Sequence, residues 1–405
     1  MNQPQPPTLA PGSAAELAET LAAAAAAGQP LTPWGAGTLQ HLGGPPSPDA
    51  QPISTAALGR IVEYAPADLT ITAEAGVTLG ELQATLRQRG QWLPWDPAAP
   101  EQATLGGLLA AGASGPLRLG YGTPRDWVLG MRVALADGRL VASGGRVVKN
   151  VAGYDTHKLH IGALGTLGVI AQATLKVAPL PEHSATLVFA CASRAVALAL
   201  AARLREPPLA PVSLLLSAGA GTTELVIARF NGIAAAVRRQ SQLAAEAGLA
   251  LGAARKALDD DRPLWQALAG FANPRLKYER FGDSAALIIR AGAPPGALAD
   301  TLALAEQLAP EAAAARVLGY AGVGLVYARW HLDPPDGEAA ARALGALRAR
   351  LAAIGGYAAV EDAPASLGLI DRWGAPPPTI ELMRGVKAAW DPQAILNRGR
   401  YVGGI

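Results

Sequence analysis

The sequence predicts an α+β protein of two parts with different grammars. In residues 31–180 short β-like runs alternate with glycine-rich turns and few helices. From about 185 to 361, strands alternate regularly with longer alanine-rich helices, and the order strand, helix, strand, strand, helix is spelled twice. The length of 405 residues agrees with two domains rather than one. A hydrophobic share of 50% against 16% charged residues allows a sizeable core and excludes disorder over most of the chain.

The elements follow in order. Residues 1–12 read as a loose lead-in, rich in proline. Ser13, with Glu16 three residues on, then opens a helix over 14–27. Ile61–Tyr64 and Thr70–Glu74 read as strands, and Thr78 with Glu81 forms a capping box for a helix running to about Arg89. Asp137-Gly138 marks a hairpin between Val128–Leu135 and Leu140–Ala142, and Gly168–Val177 makes a further strand. Pro179, Pro181 and Glu182-His183 mark a boundary near 181. Beyond it the expectation is strand 186–190, helix 193–205, strands 211–217 and 223–230, and helix 232–248. The second copy is strand 285–290, helix 295–308, strands 314–319 and 322–330, helix 337–352 and strand 356–361. Two such units imply an antiparallel sheet covered by helices on one side, a duplicated ferredoxin-like arrangement.

Charge and composition narrow the function classes. The net charge of +2 and the scattered arginines lack the basic stripes of a nucleic-acid groove. The lone Cys191, in the apolar run LVFACAS, reads as a buried inert thiol in a reducing compartment. The alanine run at 21–27 is too short to span a bilayer and no charged signal precedes it, so the expectation is a cytoplasmic protein without an integral membrane segment.

Three glycine-rich stretches carry the chemistry. In 100–115, PEQATLGGLLAAGASG, the small-residue turn Ala103, Thr104, Leu105, Gly106, Gly107 precedes a short apolar stretch ending at Gly112, Ser114 and Gly115. Such a turn lets backbone N–H groups approach a diphosphate; a close-packed helix start without ligand is the alternative. Pro33, Trp34, Gly35, Ala36, Gly37 and Thr38 form a second turn of that kind after an apolar strand end. The third, GGRVVKNVAGYD at 144–155, places Lys149, Asn150, Tyr154 and Asp155 beside glycines, ahead of the strand bearing Val169 and Ile170. The strand, Gly-x-Gly-x-x-Gly, helix order of a dinucleotide-binding sheet is missing near the start, which disfavours a nicotinamide cofactor.

The ordered set PWGAGT, PEQATLGGLLAAGASG, RLGYGTPRDWVLGMRVALADG, VVKNVAGYD and GTLGVI resembles the FAD-binding domain of the vanillyl-alcohol-oxidase or p-cresol-methylhydroxylase (PCMH) type. Within that family it resembles the E subunits of bacterial glycolate oxidase, and WDPQAILNRGRYV resembles the family's closing segment, which returns to the FAD domain. The resemblance implies an FAD-binding domain at 13–181 with two subdomains, a cap at 182–361 and a C-terminal segment at 362–405 packed on the FAD domain. It implies that Trp34–Thr38 and Thr104–Gly107 wrap the pyrophosphate, and that Gly112, Ser114 and Gly115 lie near the ribityl chain and ring. Val169 and Ile170 would offer backbone hydrogen bonds, and Lys149, Asn150 and Tyr154 would flank the flavin. Thr38 stands where covalently flavinylated members carry a histidine, so the FAD is expected to be noncovalent.

The same resemblance implies oxidation of a 2-hydroxy acid such as glycolate in a complex with a catalytic flavoprotein paralogue and an iron–sulfur subunit. Membrane contact, if any, would be peripheral and through those partners. A self-sufficient D-2-hydroxy-acid dehydrogenase and a structural subunit without redox work are the alternatives. In the dehydrogenase case Arg275, Lys277, Arg280 or Arg316 would hold the carboxylate and Tyr320 or His331 would act as base. The metal-site histidines of related dehydrogenases are missing: GYAGVGLVYARWHLD has Tyr320 where a histidine is expected. His157 and His160, three apart, read as surface or core histidines, and no metal is expected. The patch of Trp265, Arg275, Lys277, Tyr278 and Arg280 reads as a substrate or partner surface or as a solvated loop.

Overall fold

The computed structural model of the chain describes residues 8–145, 153–219, 223–273, 285–311 and 313–405. A helix over Ala14–Ala27 opens the fold, with Ser13 Oγ accepting from Glu16 N–H and Gly28 closing it at φ +64°. Strands β1 (Leu31–Trp34) and β2 (Gln51–Ser54) pair in parallel beside it. A five-stranded sheet follows, built from β3 (Ile61–Ala65), β4 (Thr70–Glu74), β6 (Val128–Ala134), β7 (Leu140–Gly144) and β8 (Val169–Lys176) in the order β3-β4-β8-β6-β7, antiparallel throughout. Two short strands, β5 (Gln91–Trp92) and β9 (Ala178–Pro179), form a separate pair. The capping box of Thr78 and Glu81 starts the helix Leu79–Arg87. A second, shorter helix, Leu105–Ala111, begins at Thr104 and stops at Gly112, φ +61°.

The second part is one eight-stranded antiparallel sheet. Its members are β10 (His183–Cys191), β11 (Ser213–Gly219), β12 (Glu224–Gly232), β13 (Ala254–Lys256), β14 (Ala285–Gly292), β15 (Ala313–Tyr320), β16 (Leu325–Leu332) and β17 (Tyr357–Asp362). Their order, β13-β10-β12-β11-β15-β16-β14-β17, is the same four-strand pattern written once and then reversed. The two copies join where β11 pairs with β15. That is the expected duplicated unit, with strand boundaries displaced by up to three residues because strands run into their flanking turns. Sequence reading did not find β13, the helix Arg262–Ala269 or the helix Ile380–Trp390.

Period-two alternation sends Val326, Ala328 and Trp330 of β16 into a core covered by helices. Trp330 is fully buried there and donates its indole N–H to Ala305 O at 2.7 Å. The intervening residues Tyr327, Arg329 and His331 therefore point to the other face of the sheet, and that face looks toward the first part of the molecule.

The C-terminal segment does return. Lys387, on the helix Ile380–Trp390, is buried and donates to Thr166 O at 2.8 Å, Leu396 O at 3.0 Å and the Asp391 carboxylate at 2.5 Å. Asn397 donates its side-chain N–H to Leu164 O and its backbone N–H to Leu31 O. These bonds tie residues far apart in the sequence to the loops that surround the first cleft.

Candidate functional site

A cleft of about 670 Å³ opens where β1 ends. Gly37 sits at φ +71°, and a Cβ there would lie 2.4 Å from the Trp34 ring. A Cβ on Gly35 would lie 2.2 Å from Thr104 Oγ1, so this turn packs directly on the cap of the helix Leu105–Ala111. The two glycine stretches are thus adjacent walls of one cleft, and both line it.

Their amides differ in availability. Leu105 N–H donates to Val77 O and Gly106 N–H to Ala75 O, both at 2.8 Å, and Gly107 N–H donates to Thr104 Oγ1. Ala103 and Leu105 are buried beneath the cleft. The stretch at 103–107 therefore serves as a close-packed floor, with these three N–H groups already engaged. The N–H groups of Gly35, Ala36 and Thr38, by contrast, make no hydrogen bond to another described residue. Successive backbone donors left open in a turn form an anion-binding concavity.

The third wall is Leu164–Ile170. Strand β4 stops pairing with β8 at Glu74 opposite Gln172, and Ala75 N–H makes a last bond to Ala171 O. Val169 and Ile170 lie beyond that point and line the cleft. Asn397 and Arg400 close the fourth side. Arg400 donates to Gly44 O at 2.9 Å, Gln40 Oε1 and Gln40 O at 2.7 Å, and Leu42 O at 2.8 Å. Burial pulls its guanidinium down to about 10, which leaves it charged at neutral pH, and its bonds fix the loop at 40–44. Gln40, Leu42 and Thr55 line the cleft without having been singled out, and Asn397 and Arg400 line it from the closing segment WDPQAILNRGRYV. The polar loop pattern after PWGAGT could have flagged Gln40; Arg400 carries no local signal, because its partners lie about 360 residues away.

A larger cleft, about 1250 Å³, continues from the first and shares Leu39, Leu42, Ala111 and Leu164 with it. Gly112 and Ser114 line one wall. Gly115 lies one step behind, against Asp96, whose carboxylate accepts Leu117 N–H at 3.0 and 3.1 Å. Burial pushes Asp96 up to about 8. The opposite wall is the second face of the eight-stranded sheet, where Arg290 and Tyr327 stand on paired positions of β14 and β16 beside Glu361 of β17. Arg290 is ion-paired with Glu361 and donates to the Tyr357 hydroxyl at 3.1 Å. Burial opposes its charge, yet the Glu361 carboxylate holds the guanidinium above its ordinary value. Burial pushes the Tyr327 phenol up to about 12.

The remaining expected residues divide. Tyr154 is 92% exposed and lines neither cleft. Lys149, Asn150, Arg275, Lys277, Tyr278 and Arg280 lie outside the described residues. Arg316, Tyr320 and His331 share that sheet face but do not line the cleft. Tyr320 stands edge-on to Tyr327 at 5.6 Å within an apolar cluster that includes Leu215 and Trp265. Burial, with Arg329 and Arg316 nearby, pulls His331 down to about 4. His157 and His160 are core histidines: Ser143 Oγ lies 3.1 Å from His157 Nδ1, and His160 stacks on Trp390 at 4.9 Å. Among the described residues no group of three or more His, Cys, Asp or Glu could hold a metal ion. No helix of the described residues is long and apolar enough to cross a membrane.

Comparison with known proteins agrees with this geometry. Residues 7–144 match the family described as FAD binding domain, and residues 372–401 match FAD linked oxidases, C-terminal domain. The first match supplies the turn and floor of the first cleft, the second supplies Asn397 and Arg400. The chain is 40% identical over 159 residues to glycolate oxidase subunit GlcE of Escherichia coli, covering 39% of this chain and 45% of that one. It is 32% identical over 180 residues to glycolate oxidase subunit GlcD of Bacillus subtilis, covering 44% and 38%. The matched part thus spans less than half the length of either relative. A D-lactate dehydrogenase of Archaeoglobus fulgidus is 28% identical over 97% of this chain and 90% of its own. A solved alkyldihydroxyacetonephosphate synthase superposes with a TM-score of 0.70 at 17% identity, over 96% of this chain and 76% of that one, and shares the fold. The site fits the cofactor: a side-chain-poor turn with open amides leads into a larger cleft between the two parts of the molecule.

Proposed function

We propose that the chain, whose residues 7–144 and 372–401 match the FAD binding domain and the C-terminal domain of FAD linked oxidases, is the FAD-binding subunit of an assembly that oxidises glycolate to glyoxylate. In this reading it works beside a catalytic flavoprotein paralogue and an iron–sulfur subunit. The observation that carries the proposal is the continuous cleft from the glycine turn at 35–38 to the face of the eight-stranded sheet that bears Arg290 and Tyr327. The likeness to a protein named as a glycolate oxidase subunit supplies the substrate class.

A bound FAD supplies the two-electron acceptor that oxidation of a 2-hydroxy acid requires. The chain's own residues do the holding. The amides of Gly35, Ala36 and Thr38 receive the pyrophosphate, and the open backbone edge at Val169 and Ile170 lies alongside. Gly112 and Ser114 admit the ring end of the cofactor to the larger cleft. Thr38 offers no imidazole to link to the flavin ring where covalently flavinylated members carry a histidine, so the cofactor stays noncovalent. With one cysteine in the sequence, and that one buried, the chain cannot ligate an iron–sulfur cluster alone, so electrons leave through a partner. The assembly resides in the cytoplasm, with any membrane contact made by those partners.

A second reading, a self-sufficient FAD-dependent D-2-hydroxy-acid dehydrogenase, is favoured by the near full-length match to a protein named D-lactate dehydrogenase. Arg316 and His331 on the cap face are its candidate groups. Anaerobic addition of glycolate or D-lactate to the purified flavin-loaded chain separates the two. Bleaching of the isolated chain selects the second reading; bleaching only after both other subunits are added selects the first. A chain that never holds FAD, in either state, defeats both.

A further inference from the structure

Arg118 and Tyr327 line the larger cleft without a hydrogen-bond partner for their side chains among the described residues. Arg118, half-buried at the start of the short helix Arg118–Tyr121, lines the cleft from the FAD-binding side and enters no ion pair. Tyr327 lines it from the cap sheet, and its hydroxyl makes no hydrogen bond to another described residue. The two are close enough for the Arg118 charge to act on the Tyr327 phenol. Arg290, the other described arginine of this cleft, is committed to Glu361 and to Tyr357. An open guanidinium and an open phenol lining one cleft match a small anion with a second acceptor beside it, because a planar fork grips a carboxylate in two-point fashion.

We propose that Arg118 and Tyr327 form the carboxylate-binding site for a small 2-hydroxy or 2-oxo acid, gripped between the two parts of the molecule. Arg118 takes the carboxylate, and Tyr327 donates to the acid's C2 oxygen. The phenol stays protonated through the ordinary pH range, so it is a donor and not the base. The Arg290–Glu361 pair forms a charge-neutral wall that leaves Arg118 as the cation available to the anion among the described residues of the cleft. The identity of the acid as an oxidisable substrate rests on the function proposed above; the anion site does not.

The test is calorimetric titration of the FAD-loaded protein with oxamate, a monocarboxylate that cannot be oxidised in place of a 2-hydroxy acid. Arg118→Ala is expected to weaken oxamate about 10- to 100-fold while FAD content is unchanged. Arg118→Lys should recover part of that loss, and Tyr327→Phe should cost about 5- to 10-fold. Oxamate that does not bind the unaltered protein overturns the proposal, as does unchanged binding in Arg118→Ala. Loss of FAD from Arg118→Ala and Arg118→Lys alike also overturns it, because the arginine then serves the cofactor. Glycolate oxidation by the full assembly, measured in parallel, separates the two claims. Oxidation with oxamate binding insensitive to Arg118 leaves the function and removes the site. Arg118-dependent oxamate binding without oxidation of any 2-hydroxy acid leaves the site and removes the function.

Discussion

The two clefts meet end to end yet are built from different material. The smaller is lined mainly by backbone and small side chains: Gly35, Gly37, Gly106 and Gly107 on two walls, with Val169 and Ile170 along a strand edge. The larger is lined by side chains that project from a pleated sheet, Arg290, Tyr327 and Glu361, facing Arg118 across the gap. Recognition by backbone survives changes in neighbouring side chains but tolerates no added Cβ, whereas recognition by side chains can be retuned one residue at a time. This division suits a constant cofactor and a variable substrate.

Adding a side chain to the first cleft should have the largest effect. Gly35→Val forces the turn off Thr104 and is expected to abolish FAD retention through gel filtration while the far-ultraviolet circular dichroism stays native. Full FAD retention would break the contrast between the clefts. The C-terminal tie comes next: Lys387→Met leaves Asp391 as a buried unpaired carboxylate and should cost about 3–5 kcal/mol, read as a lowered denaturant midpoint. A shift below about 1 kcal/mol would show that the tie does not hold the cleft loops.

Acid should act on the first part through His160. Its native value of about 4 lies below the ordinary 6.5, so the folded protein favours the neutral ring. The stability linked to this group is complete above about pH 6.5 and declines as pH falls toward 4, by roughly 3 kcal/mol in all. His160→Phe keeps the stack on Trp390 and should flatten that part of the stability profile; an unchanged slope would refute the assignment. Smallest of all is Tyr154→Ala. With its side chain in solvent, the change should leave FAD retention intact and stability within about 0.5 kcal/mol, as measured by flavin release and thermal melting.

The contrast also explains what could be read from the chain. The turn at 33–38 and the floor at 103–107 announce themselves because glycines mark close approach directly in the residue letters. The doubled unit of the cap was legible for a similar reason: alanine-rich helices alternate with short apolar runs in an element order that is written twice. The helix Ile380–Trp390 was missed because it carries no cap bond from a side chain and its single buried residue is a lysine. Arg400 and Lys387 reveal their role only when residues several hundred positions away come into contact. The weighting of Arg316, Tyr320 and His331 over Tyr327 and Arg290 shows what register adds. All five lie on one face of the sheet, and only pairing across β14, β16 and β17 shows which of them reach the cleft.

The central claim is that the open backbone amides of Gly35, Ala36 and Thr38 hold FAD noncovalently in the smaller cleft. Its most direct measurement is titration of the purified chain with FAD, followed by acid precipitation. The account predicts one equivalent bound per chain, all of it released to the supernatant, and none bound by Gly35→Val. A chain that binds no FAD, or a flavin that remains with the precipitated protein, would contradict it.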